Sequence, residues 1–396
     1  MALTTLDDLL AEPSGVRGRR VFVRADLNVP LKGGRVGDDT RIRAALGSLR
    51  RLLAGGARVV LASHLGRPKG APRPELSLQP VAERLSELLG RPVAFATDCV
   101  GPVAEAAAAK LRDGEVLLLE NLRFHKEEEK NDPAFARQLA ALADLYVNDA
   151  FGTAHRAHAS TAGIVPFVER AVAGDLLREE LEHLRVVREP ERPLVCFLGG
   201  AKVSDKLAVL EALAPHTDVL AVGGAMAYTF LRAQGLPTGD SLVEPDRVDD
   251  ARRVLAAARA AGRELLLPVD HVIAQKLEAG APSRVVKEIP DGWRGVDIGP
   301  ETAARYAAAA KRARTIFWNG PMGVFEIDAF AKGTEAVAKA VAESGARSVV
   351  GGGDSLAAVN KLGLGARIGH LSTGGGASLE FVQGLALPGV VALEHP

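Results

Sequence analysis

The run Leu194-Val195-Cys196-Phe197-Leu198, followed at once by Gly199-Gly200-Ala201-Lys202-Val203-Ser204-Asp205-Lys206 and an Ala- and Leu-rich stretch to Ala214, decides the fold. Apolar residues without alternation predict a strand covered on both faces, since a half-exposed strand alternates polar and apolar positions. The glycines let the chain turn, and 205–214 reads as a helix. The same unit recurs along the chain. Strands are predicted at 20–24, 59–63, 116–120, 145–148, 194–198, 219–222, 265–269, 315–318 and 348–350, and helices at 40–54, 77–89, 103–111, 205–214, 249–261, 301–314 and 334–343. Such alternation predicts an α/β protein of parallel sheets wrapped by helices, and the gap between 148 and 194 divides it into two doubly wound, Rossmann-like halves.

Composition sets the outer limits. With 396 residues the chain exceeds the roughly 250–300 that one core supports. Hydrophobic residues make up 47%, charged residues 25%, and the net charge is zero, which argues against a nucleic-acid arm or a disordered tail and leaves no nucleic-acid partner expected. Of two cysteines, Cys196 falls in an apolar strand as an inert thiol and Cys99 stands alone in a polar stretch. Neither has metal-ligand spacing, and no disulfide framework is possible, so a reducing, cytoplasmic setting is expected. Residues 1–14 carry Asp7, Asp8 and Glu12 without a basic or apolar leader pattern, and no apolar run nears the roughly 20 residues of a membrane span, so neither secretion signal nor membrane is expected. A connector is predicted at 175–190, capped by Asp175, striped by Leu177, Leu181 and Leu184, and stopped by Pro190 and Pro193. It separates domains at 1–174 and 191–379.

In open α/β sheets ligands bind beyond the carboxyl ends of strands, and there the polar clusters lie. In the first half they are basic: Arg24-Ala25-Asp26-Leu27-Asn28 with Arg41 at the next helix, His64-Leu65-Gly66-Arg67, Asn121-Leu122-Arg123, and Asp149 through His155, Arg156 and His158. Converging, they would suit a ligand carrying both carboxylate and phosphate, because guanidinium forks match both oxyanions. In the second half they are glycine-rich: Gly199–Lys206, Gly223-Gly224-Ala225, Asn319–Glu326, Gly351–Ser355 and Ser372–Ser378. Backbone N–H groups at such turns, with Lys202 and Lys206, favour nucleotide phosphates. Two familiar phosphate motifs are absent. No Gly-x-x-x-x-Gly-Lys-Ser/Thr occurs, and after Gly351-x-Gly353 and Gly374-x-Gly376 the third glycine of a dinucleotide fingerprint is Leu356 or Leu379. Lys126–Lys130 reads as a solvated loop and Asp270-His271 as scaffold.

Together these motifs, in order from residue 20 to residue 380, resemble the phosphoglycerate kinase family. The resemblance implies two similar-sized domains joined by a hinge, a tail (380–396) returning to the first, and reversible Mg²⁺-dependent transfer between 1,3-bisphosphoglycerate and ADP, giving 3-phosphoglycerate and ATP in glycolysis and gluconeogenesis. By position it implies a 3-phosphoglycerate site of Asp26, Asn28, Arg41, His64, Arg67, Arg123 and Arg156. The nucleotide site would be Lys202, Lys206, Gly295, Glu326, Gly352, Gly353, Asp354 and Ser355, with Glu326 on the ribose and Asp354 on Mg²⁺. Arg41 and Lys202 are expected to stabilise the migrating group, helped by helix N-termini at Gly199–Gly200 and Gly374–Gly376; His64 binds, and His155 and His158 support. A monomer is expected. The sequence departs from the family pattern at Ala225, Met322 and Ser355.

Overall fold

The computed structural model describes residues 3–12 and 15–394. The chain forms two compact units, one running to Leu181 and taking in the residues from Ala386 on, the other spanning Glu182–Leu385. Among the described residues no helix is long and apolar enough to cross a membrane.

The first unit is built on a six-stranded parallel sheet in the spatial order Val93–Ala96, Val116–Leu119, Arg58–Ala62, Arg20–Ala25, Leu145–Asp149, Arg170–Ala173. The central strands are buried almost end to end, which is why their sequences do not alternate. Helix Thr40–Ala54 covers the sheet with Ile42, Ala45, Leu46, Leu49, Leu52 and Leu53, spaced to one stripe at 3.6 residues per turn. It stops at Gly55-Gly56, where Gly56 adopts φ +80°, open to glycine at little cost. Sequence order reverses between the strands starting at Arg20 and Leu145, so this unit's crevice opens beside Asp26 and Ala150. Gly389, in helix Pro388–Glu394, donates to the Ala154 carbonyl (2.9 Å), and its own carbonyl accepts from Asn148 Nδ2 (3.3 Å).

The second unit has a six-stranded parallel sheet in the order Glu264–Leu266, Val219–Val222, Leu194–Leu198, Thr315–Asn319, Arg347–Gly351, His370–Ser372. Numbered within the sheet this is 3-2-1-4-5-6, with the reversal between the strands ending at Leu198 and Asn319. The α/β, doubly wound fold expected from the sequence is therefore present in both units. A three-stranded antiparallel sheet, Ser283–Val286, His271–Ala274 and Arg294–Ile298, was not anticipated. Its strands are short, and only some of their side chains are buried, so they lack the apolar run that marks the others.

Two helix starts differ from expectation. The connector helix Asp175–Arg188 is capped by Asp149, which accepts from the N–H groups of Leu176 (2.9 Å) and Leu177 (3.3 Å), whereas Asp175 pairs with Arg51 (2.6 Å). The helix after Gly199-Gly200 begins only at Leu207 and ends at Leu213. The Asp270-His271 pair is scaffold, as expected. Asp270 lies ahead of helix Pro300–Arg312 and accepts from the N–H of Glu301 (2.9 Å) and from the N–H and hydroxyl of Thr302 (2.8 and 2.6 Å). Burial opposes its charge, but these bonds outweigh that and hold its carboxyl below the ordinary range.

Removing this cap, Asp270→Ala, is expected to cost the second unit about 2 kcal/mol at pH 7. Both tryptophans of the chain, Trp293 and Trp318, lie in that unit. The check is therefore the urea midpoint followed by tryptophan fluorescence; an unmoved midpoint contradicts it.

Candidate functional site

In the first unit the four basic loops meet. Arg41, in the first turn of its helix, is ion-paired with Asp26, which is buried beside Gly152; a side chain at Gly152 would displace the Asp26 carboxylate. Asn28 ties the first loop to the second, its Oδ1 accepting from the Gly66 N–H (2.9 Å). Arg123 ties the second to the third by donating from Nη1 to the Gly66 carbonyl (3.0 Å), with Glu129 at 3.5 Å from its Nε. Buried Asn121 braces the same junction through Leu65, from whose N–H it accepts (3.2 Å) and to whose carbonyl it donates (2.7 Å). Arg156 is half-buried and donates to His155 Nε2 (3.2 Å), while Arg67 is exposed just beyond Gly66.

The charges reach the buried histidines. Burial first, then Arg24, Arg123 and Arg41, hold His64 well below its ordinary range. Burial, then Arg123, Arg24 and Arg156, bring His158 down to about 3. A ring flanked by guanidinium groups and shut from water does not take a second proton near neutrality. Neither histidine can then serve as a general base of useful strength.

Sequence reasoning missed the floor beneath these loops. Lys126–Lys130 is not a solvated loop: residues Lys126–Glu129 form a helical turn, and Glu128 is fully buried. Its oxygens accept from the Ser160 hydroxyl (2.6 Å) and N–H (2.9 Å). Arg24, fully buried although on a strand, donates from Nε to Ser160 Oγ (2.8 Å). A charged run gives no hint of which member turns inward; the signal would have been Arg24, a charge in a buried strand that needs a partner. Cys99, read as lying in a polar stretch, is buried, with burial pushing its thiol up. It joins Asp98 and His125 in a group whose ligand-type atoms lie within 4.8 Å of one another. Asp98 Oδ1 already accepts from the Cys99 N–H (2.7 Å) and contacts His125 Nε2 (2.7 Å).

In the second unit the glycine clusters are packed backbone to backbone. Gly199 donates to the Asn319 carbonyl (3.0 Å), Gly224 to the Met322 carbonyl (2.9 Å), and Met226 to the Gly200 carbonyl (3.0 Å). A Cβ on Gly199, Gly224 or Gly320 would strike neighbouring backbone. With its N–H engaged and no helix starting there, Gly199 is not the helix-terminal anion donor that the sequence suggested. Gly376–Val382 is likewise a seven-residue helix, too short for a developed end.

The stronger helix end is at Gly353–Lys361, preceded by Gly352 at φ +91°. Its first backbone N–H groups, at Gly353, Asp354 and Ser355, lack partners within the helix by geometry. Ser355 is fully buried, and its hydroxyl accepts from the Gly320 N–H (2.6 Å), so any ligand contact would come from its backbone. Asp354 is exposed in the same turn. Lys206 Nζ reaches Asn319 Oδ1 and its carbonyl, and burial brings its pKa down to about 8, with Asp354 and Asp205 acting against the shift. Lys202 and Glu326 are exposed. Gly295, on the antiparallel sheet, leaves room for the Tyr228 ring and donates to Ser241 Oγ (2.9 Å); the neighbouring Val296 carbonyl takes the Val324 N–H (2.8 Å), two residues before Glu326.

A depression of about 820 Å³ is lined by Asp39, Arg43, Arg84 and Glu87, among others, and by none of the proposed site residues. Its cations are neutralised by its own acids, Asp39 pairing with Arg43 (2.8 Å) and Arg84 (2.6 Å), so it offers an anion little.

The first doubly wound unit thus carries arginine-rich strand ends and the second glycine-lined ones. Comparison with known proteins shows the family. The family model described as phosphoglycerate kinase matches residues 11–385. The chain is 60% identical to a phosphoglycerate kinase of Moorella thermoacetica over 99% of each chain, and 60% identical to one of Rubrobacter xylanophilus over 96% of each. The solved phosphoglycerate kinase of Coxiella burnetii superposes with a TM-score of 0.89 at 42% identity, covering 99% of both chains. That of Pyrococcus horikoshii gives 0.86 at 34%, covering 99% of this chain and 98% of the other. The chain belongs to the phosphoglycerate kinase family: it is an ATP-binding transferase of glycolysis.

The electrostatics yield a direct test. In nitrogen-15 spectra the rings of His64 and His158 are expected to stay neutral from pH 5 to pH 8. A titration midpoint near the ordinary 6.5 for either contradicts the arrangement.

Proposed function

We propose that the basic loops of the first unit bind 3-phosphoglycerate or 1,3-bisphosphoglycerate, and the glycine-lined loops of the second bind ADP or ATP. What supports this reading is the meeting of the four basic loops: Asp26 holds Arg41, Asn28 and Arg123 both bond to Gly66, and Arg156 stands on the fourth loop beside His155. Fixed cations in a poorly hydrated pocket bind a multiply charged anion without reorganising at the moment of reaction. Asp26, Asn28, His64 and Arg67 complete the acid site. Asp26 also holds Arg41, so that guanidinium is oriented before any ligand arrives.

The nucleotide's phosphates fall to Lys202, Lys206 and the N-terminal turn Gly352–Ser355, its ribose hydroxyls to Glu326, and its base to the wall at Gly295. The exposed Asp354 carboxylate is a hard oxygen donor of the kind Mg²⁺ prefers, next to the amides proposed for the phosphates. Mg²⁺ carried in with the nucleotide supplies charge neutralisation on those phosphates.

Transfer breaks the bond between phosphorus and the acyl oxygen of 1,3-bisphosphoglycerate and forms one to a β-phosphate oxygen of ADP. The carboxylate leaves as an anion and the nucleophile is already one, so no proton moves and no base is needed. The low proton affinity of His64 and His158 is consistent with that. Arg41 and Lys202 are assigned the charge on the migrating group. The protein acts as a monomer in the cytoplasm, on small-molecule substrates alone.

In a coupled assay with 3-phosphoglycerate and Mg-ATP, Arg41→Ala and Lys202→Ala are each expected to lower kcat by about 10²–10³. Loss confined to KM, with kcat within a few-fold of the parent, would overturn their assignment to the migrating charge.

A further inference from the structure

The buried contacts under the first unit's loops run in one direction. Glu128 can only accept while ionised, and it accepts from both the N–H and the hydroxyl of Ser160 (2.9 and 2.6 Å). A serine hydroxyl has one proton, so with that proton on Glu128, Ser160 Oγ is left as an acceptor, and Arg24 Nε fills it at 2.8 Å. Arg24 Nη1 donates to the Ala25 carbonyl. Arg24 Nη2 faces His64 Nδ1 at 3.3 Å. A guanidinium has no lone pair to offer, so this contact has one polarity: Arg24 donates and Nδ1 accepts. The His64 proton must then be on Nε2.

We propose that Glu128, Ser160 and Arg24 form a positioning relay that locks His64 in its neutral Nε2–H tautomer, so that the ring presents a hydrogen-bond donor to the anionic substrate. The relay is buried throughout: Glu128, Ser160 and Arg24 are fully inaccessible and His64 nearly so. It is also anchored on the backbone. Ser160 lies in the wide helical turn Ala159–Gly163, where the His158 carbonyl accepts from both Ala162 (2.9 Å) and Gly163 (3.1 Å), and Tyr146 donates to the Ser160 carbonyl (2.8 Å). In the other tautomer Nε2 would turn a lone pair toward the substrate, and an anion is repelled by a lone pair. The relay therefore decides the sign of the His64 contact. None of its three members needs to touch the ligand.

The inference rests on the reading that His64 faces 3-phosphoglycerate, so its test has two parts. In the ligand-free parent, long-range nitrogen-15 correlations of His64 should show Nδ1 unprotonated and Nε2 protonated; the opposite tautomer, or an imidazolium at pH 7, overturns the proposal. Ser160→Ala removes the acceptor of Arg24 Nε and is expected to give mixed tautomers at His64. It should also raise the KM for 3-phosphoglycerate about tenfold, as for one hydrogen bond to a charged partner, with kcat and the KM for Mg-ATP within about twofold of the parent. An unmixed Nε2–H tautomer in that variant overturns the relay. Glu128→Gln, close in volume, is a second variant in which the same mixing is expected and its absence counts equally against the relay. Should His64→Ala leave the KM for 3-phosphoglycerate unchanged, the substrate-site reading fails, whereas the tautomer lock, measured without ligand, stands.

Discussion

A parallel sheet covered on both faces has nowhere to keep polar chemistry except the ends of its strands. Each unit obeys that constraint. The central strands carry mostly valine, leucine, isoleucine, alanine and aromatic side chains with almost no exposure, and the polar loops follow at the carboxyl ends, beside the reversal in strand order. What differs between the units is the chemistry placed there. The first presents guanidinium groups on loops tied together by Asn28 and Asn121, with Arg41 held by Asp26; the second presents backbone amides packed so closely that glycine is required.

Among the described residues, Arg24 is the largest charged side chain fully buried in a strand, and it serves the loops above it. Arg24 is a full charge inside a strand, a costly placement unless every nitrogen is satisfied and the charge is balanced. Ser160, Ala25 and His64 take its hydrogen bonds, and buried Glu128 supplies the opposite charge. Burial pushes the Glu128 carboxyl up, and Arg24 opposes that shift, so each charge is tolerable because of the other. The result is a stiff electrostatic floor under loops that must hold several like charges together. His64 and His158, kept neutral there, add donors to the pocket without adding to its self-repulsion.

How far the sequence could be read follows the same physics. Buried parallel strands announce themselves by apolar runs, and both six-stranded sheets are visible at their centres, Arg20–Ala25 and Leu194–Leu198 among them. Their edge strands Val93–Ala96 and His370–Ser372 carry too few buried residues to stand out, and Arg170–Ala173 and the strands of the antiparallel sheet at 271–298 are too short to form a distinct apolar run. The strand-end clusters were legible because Gly, Asn, Asp and Arg recur at one topological position. The relay was not, because Glu128 hides in a run of charges and Ser160 has no pattern at all. The connector's cap fails for a related reason: Asp175 sits at the helix start in sequence, whereas Asp149, 26 residues earlier, reaches that end only through the fold.

The central claim is that two chemically different loop sets bind two different ligands. Hydrogen–deuterium exchange, read by mass spectrometry with each ligand added alone, tests it most directly. The account predicts that 3-phosphoglycerate slows exchange at residues 26–28, 64–67, 121–123 and 150–158, whereas Mg-ADP slows it at 199–206, 319–326 and 352–356. Protection by 3-phosphoglycerate centred on the second unit's glycine loops, or by Mg-ADP on the first unit's arginine loops, would contradict it.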